Sequence, residues 1–295
     1  MNQSMKNVFL IFISVSAWFM GCTPAPEKEP LEERKVYMSY TDWAESVALT
    51  ELSAFLLEKH LGYEVIIKLT GVDTVFQEMA TGKADAFVDV WVPQTHQNFL
   101  EQYGEYLEDL GPNYKKARTG LVVPDYMAVQ SIPGLRNVYT RPIAGIDTTA
   151  GIMRNTIKAI QVYELENELE VLSDPEMASR LENAIKRRES IVVTGWEPHW
   201  LFHRYDLRFL EDPLNVYLEE EQIHTFARQG FSESHPAATT FFRRMVLSEK
   251  QINELLYEIN RHNVPREGVE SWVQKNEFTV NQWVRGLAPE REKIM

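Results

Sequence analysis

The chain has 295 residues, 44% hydrophobic and 25% charged, with a formal net charge of -13. That length suits one large domain or two lobes of about 100–150 residues each, and the composition excludes wholesale disorder or a polytopic membrane protein. An excess of 43 acidic over 30 basic residues argues against nucleic acid as a partner, and a single cysteine excludes both an internal disulfide and a cysteine-based zinc cluster.

Residues 1–21 carry one charge, Lys6, and an apolar run from Val8 to Met20, the pattern of a secretory leader too short and too poorly flanked for a stop-transfer helix. The segment FMGC at Phe19–Cys22 resembles a bacterial lipobox, with Phe19 and Met20 where a Leu and a small residue are usual. Lipidation is therefore expected at Cys22, and residues 22–35, rich in Pro and charge, read as a tether. From Val36 short apolar runs alternate with amphipathic helical stretches, which predicts an α/β protein built on parallel strands. VYMSY reads as a strand, and Ser46–His60 as a helix carrying Ala48, Leu49, Leu52, Phe55 and Leu56 on one face and stopped by Gly62. A strand at Glu64–Leu69, a helix bearing Val72, Val75, Phe76 and Met79, and a strand in ADAFVDVW complete a βαβαβ unit. Further strands are expected at Thr119–Val123, near Ile143–Ile146 and at Ile191–Gly195, with helices at Ile152–Tyr163 and Pro175–Arg188. Beyond Ser234 the pattern is mostly helical, broken at Pro265. Gly120–Pro124 and Glu221–Arg228 are the candidate crossings between lobes. They divide the chain into lobe 1 (36–120 plus 226–295) and lobe 2 (121–225), and a ligand would sit in the cleft between them.

Seven tryptophans are present, and Trp43, Trp91 and Trp196 fall where strands are expected to run into loops. A quaternary ammonium has no N–H to donate, so it must be recognised by the negative faces of aromatic rings, and three such rings could form a box. The alternative is that each ring caps the core. Trp272 and Trp283, in the C-terminal helices, are assigned to packing, and Trp200 fits either role.

The segments YTDWAESVALT, LLEKHLGYEV, ADAFVDVWVPQTH, LEDLGPNY, TGLVVPDYM, VVTGWEPHWLFHRYDLRFLEDP and HTFARQGF resemble the glycine betaine/proline betaine substrate-binding proteins of ABC importers, from about Val36 to Trp283. The resemblance implies a two-lobed periplasmic-binding-protein fold that closes on its ligand about a hinge. It implies an aromatic box at Trp43, Trp91 and Trp196, and a ligand carboxylate held by His96 and by the backbone N–H groups of Gly151 and Ile152. The implied partners are a small quaternary-ammonium ligand, an ABC permease with its ATPase, and a membrane reached through the lipid anchor, with the protein exported and no cofactor. Thr148-Thr149-Ala150 departs from the family's pattern just before that Gly-Ile pair. A glycine there permits close backbone approach, and a helix opening at Ile152 offers free N–H groups to an anion.

Two rival readings remain. No GxSxG, HExxH, GxGxxG or GxxxxGK[ST] motif is present, and the one enzyme-like feature is His199 and His203 four apart on an expected helix, with His224 as a third candidate metal ligand. Without a nearby acid this is weak, and an amphipathic turn explains it. A choline receptor would need no anion clamp but would benefit from an acid near the hydroxyl, which Asp42 or Glu45 could supply if they are not simply solvated loop charges. Carnitine shares the cation-plus-carboxylate plan of the betaines. A purely structural lipoprotein would not need these cleft residues together.

Overall fold

A computed structural model describes residues 34–218 and 220–289; the expected leader, Cys22 and all but the last two residues of the tether lie outside that range. The first strand, β1 (Lys35–Tyr40), starts one residue before VYMSY and leads into α1 (Ala44–Leu61). In α1, Leu49, Leu52 and Leu56 are buried, and Gly62 ends the helix in the left-handed conformation (φ 72°), its N–H returning to the Leu57 carbonyl. Next come β2 (Glu64–Leu69), α2 (Val72–Ala80), β3 (Ala86–Val92) and α3 (Gln97–Tyr103). β1 runs parallel to both β2 and β3, so the expected βαβαβ unit is present.

The long strand β4 (Leu107–Pro124) organises the rest. It is followed by β5 (Ile143–Ala144), α4 (Gly151–Val162), β6 (Leu169–Glu170), α5 (Asp174–Arg187), β7 (Val193–Glu197), α6 (Trp200–Arg204), β8 (Leu207–Phe209) and β9 (Glu221–Arg228). The strand order is β2-β1-β3-β9-β4-β7-β5-β6, with β8 on β4. Through Ala117, β4 pairs antiparallel with β9; from Arg118 it pairs antiparallel with β7. It thus changes partners ahead of Gly120–Pro124, and β9 pairs wholly with β3 and β4 from Glu221 onward. The first half of β4 carries no strand pattern in the sequence. Its sequence LEDLGPNYKKAR carries Gly111-Pro112 and paired lysines, and its register with β9 shifts three times, so no alternation survives to be read. β7 is displaced two residues from the expected strand, which puts Trp196 inside it.

Helices α7 (Phe231–Ser234), α8 (Pro236–Arg244), α9 (Glu249–Asn260), α10 (Pro265–Lys275) and α11 (Glu277–Val284) close the chain. The helical run breaks between Asn260 and Pro265, as expected, and Pro265 opens α10, where its missing N–H costs nothing. Helices α8 to α11 pack back on α1, with Trp272 and Trp283 stacked at 6.1 Å between ring centroids.

Candidate functional site

Trp43 occupies the position just before α1, Trp91 lies near the end of β3, and Trp196 is in β7. All three line one cavity between the two halves of the sheet, together with Glu45, Thr95, Thr119, Ile146, Ala150, Gly151 and Ile152, enclosing a volume of about 20 Å³. Wider depressions exist on the surface, but the one beside Tyr126 is lined by Asp125, Arg188, Arg204 and Asp206 and brings no tryptophan faces together.

Each indole N–H of the trio donates to a carboxylate. Trp43 Nε1 reaches Asp147 Oδ2 (3.3 Å), Trp91 Nε1 reaches Asp89 Oδ1 (2.9 Å), and Trp196 Nε1 reaches Glu45 Oε2 (2.6 Å). Two of these bonds join the halves of the molecule, as does a third: Asp174 Oδ2, at the start of α5, accepts the N–H of Ala44 at the start of α1 (3.0 Å). Asp174 also faces His199 Nε2 at 3.2 Å, while His199 Nδ1 accepts the Leu201 N–H. α1 therefore has no capping side chain of its own, and an acid from the opposite half caps it.

Glu45 and Asp89 are 1% and 0% exposed, so neither is a solvated charge. Burial, and for Glu45 the proximity of Asp89 as well, pushes both carboxyls well above the ordinary carboxylate range, although the indole bonds offset part of this. The reading of Glu45 as a possible solvated loop charge is thus corrected: the first turn of α1 turns inward against the cavity. Asp89, Asp147, Asp174 and Thr119 were not singled out in the sequence. Only Asp89 left a signal there, an acid in the middle of the apolar strand AFVDVWV, two residues from Trp91 and hence on the same strand face.

At the opposite wall, Gly151 and Ile152 are the first two residues of α4, where main-chain N–H groups have no acceptor one turn earlier. The Thr148-Thr149-Ala150 loop is shaped by Asp147, whose Oδ1 accepts from Thr149 N, Thr149 Oγ1 and Ala150 N. A Cβ added at Gly151 would fall 1.9 Å from the Thr95 carbonyl oxygen, so this position needs glycine for the two halves to meet.

His96 is fully buried and is not in the cavity wall itself; its ring stacks on Trp43 at 5.9 Å and meets Phe76, Phe87 and Phe99. It occupies the cap position of α3, but its side chain does not cap that helix. Nδ1 instead accepts the Trp91 main-chain N–H (3.0 Å), which assigns the ring proton to Nε2, and Nε2 has no partner. Burial, with Arg154 nearby, lowers its pKa to about 3, so the ring is neutral at physiological pH. The turn preceding it is held by buried Glu221, which accepts from Gln94 N (3.0 Å), Thr95 N (2.8 Å) and Thr95 Oγ1 (2.5 Å). Arg154 of α4 bridges across to the Thr95 carbonyl (2.9 Å) and Asn98 Oδ1. The cavity wall therefore combines three indole faces and Glu45 with the first residues of α4, while His96 stacks on Trp43 and Arg154 holds the Thr95 turn, both outside the wall itself.

The three histidines considered for a metal have separate partners: His199 binds Asp174, His203 packs edge-on against Tyr257, and His224 binds Asp109 and Gln222. Trp200 is half-buried beside His199 and Arg204, in a groove outside the cavity. Among the described residues no helix is long and apolar enough to cross a membrane.

A family model for the substrate-binding domain of ABC-type glycine betaine transport systems matches residues 34–275. The chain belongs to this family. Lactococcal OpuAC, in its closed-liganded conformation with glycine betaine, superposes with a TM-score of 0.81 at 32% identity, over 85% of this chain and 99% of that one. The glycine betaine/L-proline-binding protein ProX of Borrelia burgdorferi gives a TM-score of 0.81 at 32% identity, over 85% of this chain and 97% of its own. The glycine betaine/carnitine transport binding protein GbuC of Listeria monocytogenes is 39% identical over 148 residues, and the match spans about half of each chain (49% and 49%). The architecture is thus the two-lobed α/β fold of periplasmic substrate-binding proteins, as the sequence segments implied.

Proposed function

We propose that this chain captures glycine betaine, or a close carboxylated quaternary-ammonium relative, and delivers it to an ABC permease and its ATPase. It acts by binding and release, without catalysis and without a cofactor. The lobes divide where β4 changes partners, into 34–117 plus 221–289 and 118–218, and close over the ligand about β4 and the segment entering β9. The cationic head sits among Trp43, Trp91 and Trp196, where desolvated ring faces each contribute roughly 0.5–2 kcal/mol. The carboxylate meets the N–H groups of Gly151 and Ile152 and the Nε2–H of His96. The protein is exported and held at the membrane through lipidated Cys22.

The observation that carries this reading is the lining of the cavity: three buried indoles, each with its N–H held by a carboxylate, share one cavity with Gly151 and Ile152 at the start of α4. A choline receptor is the second reading, favoured by Glu45 lying in the cavity wall. Titration calorimetry with glycine betaine, proline betaine, carnitine and choline separates the two. The carboxylated ligands should bind and choline should be weaker or silent; choline binding more tightly than every zwitterion would overturn the carboxylate half of the proposal. For the anchor, Cys22→Ser should leave the protein in the soluble exported fraction or unprocessed, and unchanged membrane fractionation would refute it.

A further inference from the structure

We propose that Glu45 and Asp89 act as one carboxyl pair that exchanges a proton for the ligand's cationic head, so that the box selects a permanent positive charge and not only an apolar shape. This deepens the quaternary-ammonium reading of the cavity and rests on it.

Both acids are wholly withdrawn from solvent. Each uses one oxygen on a box indole, Glu45 Oε2 on Trp196 at 2.6 Å and Asp89 Oδ1 on Trp91 at 2.9 Å, while Asp89 Oδ2 makes no well-formed hydrogen bond and has the neutral Ser46 hydroxyl as its polar neighbour. Neither makes an ion pair with a described Lys, Arg or His. The charged groups around them are acids as well: Asp174 of α5 acts on Glu45, and Asp42 and Asp147 adjoin Trp43. Of the nearby bases, His199 is engaged by Asp174, His96 is neutral, and Arg154 is committed to Thr95 and Asn98 on the anion side.

Two buried carboxyls without a counter-charge cannot both ionise cheaply, because each loses its hydration and repels the other. The empty pair therefore retains a proton above the ordinary carboxylate range, consistent with the upward displacement of both groups. A trimethylammonium group seated against Trp43, Trp91 and Trp196 supplies the missing positive charge and favours the ionised pair. The proton then leaves to the solvent buffer. By linkage, a ligand that expels a proton binds more tightly as pH rises, up to the point where the empty pair is already ionised. A neutral head of the same shape gives the pair no reason to ionise. Thr119 Oγ1, in the cavity wall and unpartnered, adds a polar contact that carries no charge.

The test is calorimetric titration of the intact chain with glycine betaine at several pH values, each in buffers of different ionisation enthalpy, because the slope of observed heat against buffer heat counts protons. The expected result is release of up to one proton, an affinity rising by up to tenfold per pH unit and then levelling, and no release with 3,3-dimethylbutanoate, which keeps the carboxylate and replaces the cation by a neutral isostere. Glu45→Gln keeps an acceptor for Trp196 and should abolish the release and flatten the pH profile; Asp89→Asn is the second variant should the first misfold. Tight betaine binding by the unmodified protein with zero slope from pH 5 to 8 would overturn the proposal, as would full release retained in a folded Glu45→Gln protein. Absence of betaine binding combined with proton-releasing binding of tetramethylammonium would overturn the ligand reading and leave the pair standing.

Discussion

Trp43, Trp91 and Trp196 in the cleft and Trp272 and Trp283 in the C-terminal helices are buried to the same degree, from 0% to 4% exposed, yet their surroundings differ in kind. Trp272 stacks on Trp283 and donates its indole N–H to the Gln251 main-chain carbonyl, so its faces are covered by protein. The cleft indoles surround an empty space and spend their N–H groups on carboxylates. Burial alone does not separate a core tryptophan from a cavity-lining one. What separates them is whether the ring faces are filled and whether the polar edge meets a neutral carbonyl or a charge.

The sharpest way to break this contrast is Trp272→Ala. It should cost roughly 3–5 kcal/mol of stability by denaturant unfolding, with betaine affinity of the folded fraction unchanged. Gly151→Ala should do the reverse, because its Cβ would collide with the Thr95 carbonyl across the cleft and oppose closure. About a hundredfold loss of affinity is expected, equivalent to roughly 2.7 kcal/mol of closure energy, with a near-normal melting temperature and a scattering profile that stays open when betaine is added. Trp196→Ala should weaken betaine binding by about 2 kcal/mol, and Trp196→Phe by less, since a smaller ring face remains. Equal stability losses at Trp196 and Trp272 would mean the cleft rings are core after all.

His96→Ala should cost roughly 1.5 kcal/mol of betaine affinity, the lower end for a hydrogen bond to a charged group because the donor is a neutral imidazole, and should spare choline. The smallest effect concerns pH. The pKa of His96 is depressed from 6.5 to about 3 by burial and Arg154, so the unfolded chain binds the extra proton between those values. Stability is then lost as pH falls from about 6.5 toward 3, and no His96-linked step in betaine affinity occurs between pH 5 and 8. Thermal melts at pH 7 and pH 5 should show a smaller acid penalty for His96→Gln than for the unmodified protein. Raised carboxyls such as Glu45 and Asp89 contribute in the opposite sense: their stabilisation is complete at low pH and is lost as pH rises through their folded-state values.

The sequence alone determined the local elements, because apolar spacing and stop residues are properties of the chain itself. The helix ended by Gly62, the strand Glu64–Leu69 and the parallel βαβαβ unit follow from that spacing, and the family follows from long ordered segments such as ADAFVDVWVPQTH. It also named the tryptophan trio, His96 and the Gly151-Ile152 pair, which the fold brings to one cavity and its immediate flank. Only the tertiary structure decided the rest. The irregular half of β4 is held by pairing with β9, more than a hundred residues further along the chain, and so leaves no local period. Glu45 and Trp196, Trp43 and Asp147, and Ala44 and Asp174 are far apart in sequence and meet across the two halves of the fold. Whether an acid beside a tryptophan is a solvated charge or a buried partner depends on what the other lobe places against it, and that information is not in the residue's own neighbourhood.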